Sequence, residues 1–327
     1  MYLRKSGLLV FVSVGGLAFG TLPAFGSGFS DGNSRIAFVS DRDGGDLDIW
    51  TMRPNGSQQV NLTADSDAED VTPSWRPDGR KVAFMSDRVT AANPEADFEI
   101  FVMNADGSAL RQVTSNALDD EVPSWSPDGR KIVFQRDFDP VRGQVDYDLL
   151  TMRADGTRER NLTNSPGILE TDADWSPNGR RIAFVSDRDG DGEIYTMAPD
   201  GSRVRQLTFN DGPFDSALSW SPDGSKIAFD TDRHATEETP FQVEIYTMRA
   251  NGADQTRLTF DVLTDNFPTW SPDGAKIAFT SFRLAPDEND NVEIFTMRAD
   301  GSNQVNQTRN PAFDLDPDWQ AVQDGHR

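Results

Sequence analysis

The dominant feature of this sequence is a tryptophan that returns at almost constant intervals. Successive copies are separated by 50, 50, 45, 50 and 49 residues, at Trp75, Trp125, Trp175, Trp220, Trp270 and Trp319. A phenylalanine returns with the same period, at Phe38, Phe84, Phe134, Phe184, Phe229 and Phe279, and so does a methionine, at Met52, Met103, Met152, Met197, Met248 and Met297. Such a period predicts one supersecondary unit, stacked six times, that buries its apolar surface against its neighbours.

Each repeat contains four short apolar runs separated by turn sequences. The first run ends at the tryptophan, as in residues 123–125, and a Pro-Asp-Gly turn such as residues 126–129 follows. Proline presets φ in this turn, and glycine supplies a left-handed residue. The second run resembles residues 226–229, the third resembles residues 193–197, and the fourth follows an Asp-Gly hairpin turn, as in residues 206–208. Four strands in a unit of this length predict one blade of a β-propeller.

The two ends of the chain lie out of phase with the repeat. The chain enters it at a second run, residues 35–38, and leaves it after a first run, residues 317–319. We therefore predict an all-β, six-bladed propeller of four-stranded antiparallel blades over residues 35–319. The C-terminal strand around Trp319 joins the first blade and closes the ring, which removes exposed sheet edges. Residues 320–327 are left as a tail.

The repeat carries a recognisable family pattern. Residues 175–188 and 193–208 read as W-S-P-x-G-x-x-I-A-F-x-S-D-R, E-I-Y-T-M, D-G and Q-L-T, and this pattern recurs along the chain. It resembles the TolB-type, WD-repeat-like β-propeller repeat family. The resemblance implies a periplasmic propeller whose partner is an outer-membrane lipoprotein. TolB itself carries an α/β domain before its propeller, whereas here residues 27–34 form only a short leader, so that domain is expected to be lacking.

The first residues have the pattern of an export signal. Arg4 and Lys5 precede the uncharged, apolar segment 6–19, and small residues follow at Ala24 and Gly26. This order is typical of a secretory signal peptide, and the apolar segment is short for a membrane span. We predict a signal peptide over residues 1–26, with cleavage after Ala24 and a retained membrane anchor as alternatives. The mature protein is then periplasmic or extracellular, with no stable membrane span.

The composition excludes several classes of function. The chain has 54 acidic and 31 basic side chains, a net charge of -23 and a pI near 4.3. Nucleic acids and anionic membrane surfaces require basic footprints, so neither is an expected partner. The chain has no cysteine, which excludes thiolate chemistry, and its two histidines leave little room for imidazole chemistry. No catalytic residues are assigned, and we expect a monomer.

The predicted strand order concentrates the acids on one face. The second-to-third loops and the connections between blades share that face, and together they hold 41 of the 54 acidic but 6 of the 31 basic residues. Variable loops on a rigid scaffold commonly carry the binding site. The sequence therefore predicts an acidic, loop-rich binding face.

One acid stands five residues before each tryptophan of the repeat. These acids are predicted to ring the mouth of the central channel: Asp70, Asp120, Glu170, Asp215, Asp265 and Asp314. Like charges at close quarters repel, so a Ca²⁺ ion or a cationic partner side chain among them would be favourable. The alternative is that they cap strand ends.

A second set of acids stands directly before the third strands. Its members are Asp48, Glu99, Asp148, Glu193, Glu244 and Glu293. Arginines such as Arg88 and Arg188 end the neighbouring second strands, and we predict that they pair with these acids across the hairpin.

One loop offers a candidate metal site. Asp187, Asp189, Asp191 and Glu193 alternate with other residues, a spacing that can wrap Ca²⁺, although it is not the EF-hand pattern. A solvated hairpin loop is the alternative. No cofactor other than Ca²⁺ is indicated.

We therefore expect an exported, non-enzymatic binding or scaffold protein whose acidic face contacts a protein or glycan of the cell envelope. The alternative is a carbohydrate-active enzyme, a lyase or hydrolase, that uses face carboxylates with a divalent cation.

Overall fold

The computed structural model describes residues 34–64, 67–138, 146–239, 242–283 and 292–321. These residues form 24 strands, which are arranged in six four-stranded sheets. The described part of the chain contains no helix, and hence none with the length and apolar character that a membrane crossing requires. The predicted signal peptide and most of the leader lie outside the described residues.

The six sheets are the blades of the propeller. Blade 1 consists of β1 (Ile36–Ser40), β2 (Asp48–Met52), β3 (Val60–Asn61) and β24 (Asp314–Trp319). Blades 2 and 3 consist of β4 (Asp70–Trp75), β5 (Lys81–Ser86), β6 (Glu99–Asn104), β7 (Arg111–Gln112), β8 (Asp120–Trp125), β9 (Lys131–Asp137), β10 (Tyr147–Arg153) and β11 (Arg160–Asn161). Blades 4 to 6 consist of β12 (Glu170–Trp175), β13 (Ile182–Ser186), β14 (Glu193–Met197), β15 (Arg205–Gln206), β16 (Asp215–Trp220), β17 (Lys226–Thr231), β18 (Glu244–Arg249), β19 (Thr256–Arg257), β20 (Asp265–Trp270), β21 (Lys276–Ser281), β22 (Glu293–Arg298) and β23 (Val305–Asn306).

The ring is closed by the C-terminal strand, as predicted. β24 pairs antiparallel with β1, so that Trp319 lies opposite Ile36. The amide of Gln320 donates to the carbonyl of Arg35 at 2.7 Å, and its side-chain amide donates to the carbonyl of Gly79 in blade 2, also at 2.7 Å. The last strand thus completes the first blade and also ties it to the second. The predicted fold class is confirmed.

The core lies between the blades because the second and third strands are buried on both faces. Every residue of β1 and β2 is buried, and the same holds for β13 and β14. The repeating phenylalanine of the second strand is fully buried and faces an aromatic ring of the third strand in most blades. In blade 4, the rings of Phe184 and Tyr195 are 5.8 Å apart. This double-sided burial explains why the strands show no alternation of polar and apolar residues.

The alternating strand directions give the molecule two different faces. The Pro-Asp-Gly and Asp-Gly turns lie at one end of the strands, which we call the turn face. The second-to-third loops and the connections between blades lie at the other end, which we call the loop face. On the turn face the turns pack closely: a Cβ added to Gly156, whose φ is 84°, would lie 2.2 Å from the carbonyl oxygen of Val113 in the preceding blade. Glycine is required there for both backbone conformation and blade packing.

Each innermost strand contains an unexpected bulge. The strand's pairing shifts register near its middle, as between Thr171 and Asp174 in blade 4. One residue of each bulge has a positive φ without being glycine: Thr72, Val122, Asp172, Ala217, Phe267 and Asp316. This conformation is strained for a side chain with a Cβ and persists where the surroundings enforce it.

The bulges join neighbouring blades through hydrogen bonds. The amide of Phe267 donates to Oδ2 of Asp230 in the preceding blade at 3.0 Å. The amide of Asp316 donates to Oγ1 of Thr280 at 2.9 Å in the same way. A backbone amide that has no partner in its own sheet therefore donates to a side chain of the preceding blade.

Candidate functional site

The six acids predicted at the channel mouth are buried inside the blades. Each is the first residue of an innermost strand and has no accessible side-chain surface. Each forms an ion pair with an arginine of its own blade: Arg42 with Asp314, Arg88 with Asp70, Arg136 with Asp120, Arg188 with Glu170, Arg233 with Asp215, and Arg283 with Asp265. The arginines thus supply the positive charge that the sequence predicted would come from a Ca²⁺ ion or from a cationic side chain of a partner. Their role in binding a partner or a metal stays a prediction.

Blade 5 illustrates how the arginine is held. Nη2 of Arg233 lies 2.9 Å from Oδ1 of Asp215, and Nε donates to Oγ1 of Thr231 at 3.1 Å. Nη1 donates to Oε1 of Gln255 at 2.7 Å, beside the outermost strand. The guanidinium carbon lies 4.6 Å from the centre of the Tyr246 ring. The side chain therefore spans the blade, with an ion pair, hydrogen bonds and a cation–π contact in one place.

Burial shifts the ionisation of four of these acids even with arginine opposite. Desolvation raises the pKa of Asp70, Asp120 and Glu170, and it raises that of Asp265 to about 6. The arginine opposes this effect in each case. A buried ion pair of this kind gains little net stability but is costly to break on one side.

The acids before the third strands do not pair with these arginines, so the predicted cross-hairpin pairing is wrong. They bind instead to groups at the end of the fourth strand. Oγ1 of Thr63 donates to Asp48 at 2.7 Å, and the amide of Asn116 donates to Glu99 at 2.5 Å. Desolvation raises the pKa of Asp48 to about 6 and that of Glu99 to about 8. Because hydroxyl and amide donors already occupy these carboxylates, the arginines turn to the innermost strand.

The four acids of the predicted metal loop face different partners. Asp187 accepts a hydrogen bond from the amide of Leu169 at 2.8 Å, and Asp189 accepts one from the side-chain amide of Gln206. Asp191 and Glu193 accept hydrogen bonds from the amides of Gly212 and Asn210, respectively. Across the ranges that the structure describes, no group of three or more acidic or histidine side chains is placed to hold a metal ion. The structure does not bring these four carboxylates together around one point.

A cavity lies at the turn face, between the turns and the innermost strands. Its volume is about 290 Å³, and its lining includes five of the repeating tryptophans with Ser74, Ser124, Asp174 and Asp318. Asp174 accepts hydrogen bonds from Oγ of Ser124 at 3.1 Å and from the amide of Trp220 at 2.9 Å. It therefore connects blades 3, 4 and 5.

Asp318 plays the same role on the opposite side of the ring. It accepts hydrogen bonds from the amide of Trp75 at 2.6 Å and from Oγ1 of Thr269 at 3.3 Å. This carboxylate connects blades 6, 1 and 2. Burial raises the pKa of Asp318 to about 7 and that of Asp174 to about 6. Each aspartate thus joins a different set of three consecutive blades, so their first role is structural.

Exposed apolar side chains on the loop face were missed by the sequence analysis. Phe209 is 74% exposed and Phe260 is 71% exposed, and they occupy equivalent positions in the connections that follow blades 4 and 5. Val262 and Leu263 are exposed beside Phe260. The sequence does distinguish the two phenylalanines, because the equivalent position in the other blades holds a small or polar residue: Ala64, Ser115, Asn164 and Arg309. We call these four residues, Phe209, Phe260, Val262 and Leu263, the apolar strip.

Comparison with known proteins agrees with this architecture. The family model of the TolB beta propeller domain matches residues 138–238. The crystal structure of TolB from Acinetobacter baumannii superposes with a TM-score of 0.71 at 23% identity, covering 88% of this chain and 67% of that one. The resemblance to TolB-type propellers is confirmed. No curated protein matches the sequence significantly.

The same fold occurs in structures whose titles describe different roles. A chain of a nidogen/laminin complex has a TM-score of 0.65 at 12% identity, covering 89% of this chain and 99% of that one. An oligogalacturonate lyase from Vibrio parahaemolyticus has a TM-score of 0.52 at 17% identity, covering 75% of this chain and 71% of that one. At these identities the likeness to TolB and to the others shows the fold alone, and the site must be argued from this chain's own residues.

Proposed function

We propose that this TolB-like propeller is an exported binding or scaffold protein whose loop face holds a protein or glycan partner in the cell envelope. The observation that carries the proposal is the inward orientation of the loop-face arginines. Since those arginines pair with buried acids, the acids that remain exposed dominate the surface of this face. The resulting excess of exposed acids supports a surface that is complementary to a basic or cation-bridged partner.

Blades 5 and 6 illustrate the contrast between inward basic and outward acidic side chains. The side chains of Arg233 and Arg283 are only 16% and 14% exposed, and each pairs with a buried acid. The exposed acids on the adjoining loops are Asp189, Asp211, Glu237 and Glu238. Among the described basic residues of this face, Arg188 in blade 4 and Arg309 in the connection that follows blade 6 are exposed.

Export is part of the proposal and rests on the sequence. The basic start, short apolar segment and small residues of positions 1–26 support a signal peptide. A periplasmic or extracellular location follows from it, as does an envelope component as the partner.

The proposal is tested by capturing partners from an envelope extract with the immobilised mature protein. A variant that neutralises the exposed acids, D189N/D211N/E237Q/E238Q, should lose most of the stoichiometric partner that the wild type retains. Raising the salt concentration should also release the partner, because the attraction is between exposed charges. Retention of the same partner by this variant would contradict the proposal.

A matched control changes the same number of charges on the turn face. The variant D106N/D155N/D200N/D300N replaces acids of the Asp-Gly turns, where blades 1 and 5 naturally carry Asn55 and Asn251. It should capture the partner as well as the wild type does.

The carbohydrate-active alternative is tested with the same proteins. Turnover of polysaccharides, lost on neutralising one loop-face carboxylate, would favour the enzyme. Stoichiometric capture without turnover would favour the binding protein.

A further inference from the structure

We propose that the apolar strip is the docking surface for a cationic, amphipathic segment of a partner protein. This inference deepens the proposed function and rests on it. It assigns the partner's contact to blades 4 to 6, away from the channel axis, and it adds apolar contacts to the electrostatic attraction.

The residues of the strip lie in two neighbouring connections of the loop face. Phe260, Val262 and Leu263 lie in the connection from β19 to β20, which runs from the outer edge of blade 5 to the inner strand of blade 6. Phe209 lies at the equivalent point of the connection from β15 to β16. These residues are 71%, 66%, 36% and 74% exposed, respectively. Large apolar side chains that share one face mark an interaction surface more often than single scattered ones do.

The strip is held in place by its surroundings. The guanidinium carbon of Arg257 lies 4.8 Å from the centre of the Phe260 ring, and this arginine also forms an ion pair with Glu244 at 2.5 Å. The side-chain amide of Gln242 donates to the carbonyl of Asp261 at 2.5 Å. A surface that is ordered before binding loses less conformational entropy when a partner docks.

The end of the connection is fixed as well. The amide of Phe282 donates to the carbonyl of Thr264 at 2.9 Å, and the amide of Asp265 donates to that of Val243, also at 2.9 Å. The apolar side chains are therefore presented from a backbone that is anchored at several points.

The charge around the strip selects the occupant. Asp211, Glu237 and Glu238 are exposed on the adjoining loops, and the side chain of Asp261, between Phe260 and Val262, is 40% exposed despite its contact with Arg283. Arg257 and Arg283 are neutralised by Glu244 and Asp265. A segment with aromatic or aliphatic residues and several lysines or arginines matches both features of this surface. A second copy of this chain that presents its own loop face, or an anionic membrane, would bring negative charge to the same place and be repelled.

The test uses three synthetic peptides of equal length, titrated into the mature protein and followed by calorimetry. One combines lysine with leucine and phenylalanine, the second combines lysine with serine, and the third combines glutamate with leucine and phenylalanine. The first should bind most tightly, and the variant F260S/V262S/L263S should weaken it by about tenfold or more. Equal binding of the first peptide by the variant and the wild type would overturn the inference.

A matched control replaces apolar side chains on the turn face. Leu110 and Val204 are 40% and 42% exposed at the start of outer strands. The variant L110S/V204S should bind the first peptide as the wild type does. Equal weakening by this control, or equal binding of the glutamate peptide, would also overturn the inference. Protein dimers that dissociate in the F260S/V262S/L263S variant would do so too, because they would identify a second copy as the occupant.

The inference and the proposed function fail in different ways. If the strip variant still captures the envelope partner while the acid-neutralised variant loses it, the proposed function is supported and docking on the apolar strip is wrong. If neither variant changes capture, both the docking on the apolar strip and the proposed function are wrong.

Discussion

At the scale of single residues, three groups of acids in this protein have different tasks. Those that begin the innermost strands neutralise arginines within the blades, and those in the channel join neighbouring blades. The acids of the long loops remain at the surface, where a partner can reach them. Counting charges along the sequence cannot separate these groups, because the same residue types occur in all three.

Two acids at the bulges, Asp230 and Asp316, predict an unusual dependence of stability on pH. Burial raises the pKa of Asp230 and Asp316 to about 7 from an ordinary value of 3.8, and Asp172 nearby repels the charged form of both. The folded state therefore binds these protons more tightly than the unfolded state does. The resulting stability is fully present below about pH 4 and is lost as the pH rises through about 7. We expect the free energy of unfolding, measured with urea, to fall between pH 5 and pH 8.

Replacing Asp316 tests this pH dependence. The variant D316N keeps a carbonyl oxygen for the amide of Thr72 but loses the titration. It should reduce the slope of stability against pH by up to about 1.4 kcal/mol per pH unit. The variant D106N, at an exposed turn acid whose pKa is lowered by hydrogen bonds to Ser108, should leave the slope between pH 5 and pH 8 unchanged. Equal slopes in D316N and the wild type would contradict the assignment.

At the scale of the elements, each blade depends on a turn that packs against the blade before it. The Asp-Gly turn of blade 3 leaves no room for a side chain at Gly156, because the carbonyl of Val113 lies against it. The long loop of blade 4 is different, since a Cβ at Gly190 would meet no atom within 4 Å although its φ is 117°. The two glycines therefore separate the cost of conformation from the cost of packing.

We predict that G156A destabilises the protein by about 2 kcal/mol or more, because it adds a steric clash to an unfavourable φ. G190A should cost only the conformational part, about 1 kcal/mol. Urea unfolding of both variants measures the difference. If G190A were as destabilising as G156A, the packing of the turn against Val113 would carry no weight.

The elements also show where sequence reasoning succeeds and where it ends. The strands, turns and ring closure follow from local patterns, so the repeat of Trp, Phe and Met was sufficient to predict them. The bulge at Val122 depends on the neighbouring blade, and nothing in a β-branched residue indicates a positive φ of 46°. The partner of Arg88 was equally hidden, because Asp70 and Glu99 both lie opposite Ser86. Only the donors around Glu99 decide that the arginine turns to Asp70.

At the scale of the whole molecule, the ring is held by pairing between its two ends. β24 is the innermost strand of blade 1 although it comes last in the chain, so its loss would expose the edge of β1. Two acids would be lost with this strand. Asp314 forms the ion pair with Arg42, and Asp318 connects blades 6, 1 and 2.

Deleting residues from Asp314 onward should therefore lower the melting temperature sharply. A circular permutant that places residues 314–321 before Ser34, joined by Pro-Asp-Gly, should restore it, because blade 1 then has the turn and strand order of the other blades. Thermal unfolding followed by circular dichroism measures both. An unchanged melting temperature in the deletion would show that closure contributes little.

The central claim is that the acidic loop face, and not the channel or the turn face, receives the partner. Hydrogen exchange of the protein, alone and with the captured envelope partner, tests it most directly. We predict slower exchange at residues 187–193, 209–214, 232–239 and 260–264, with the Pro-Asp-Gly turns unchanged. Protection confined to turns such as residues 126–129 and 221–224, around the cavity of the turn face, would contradict the account.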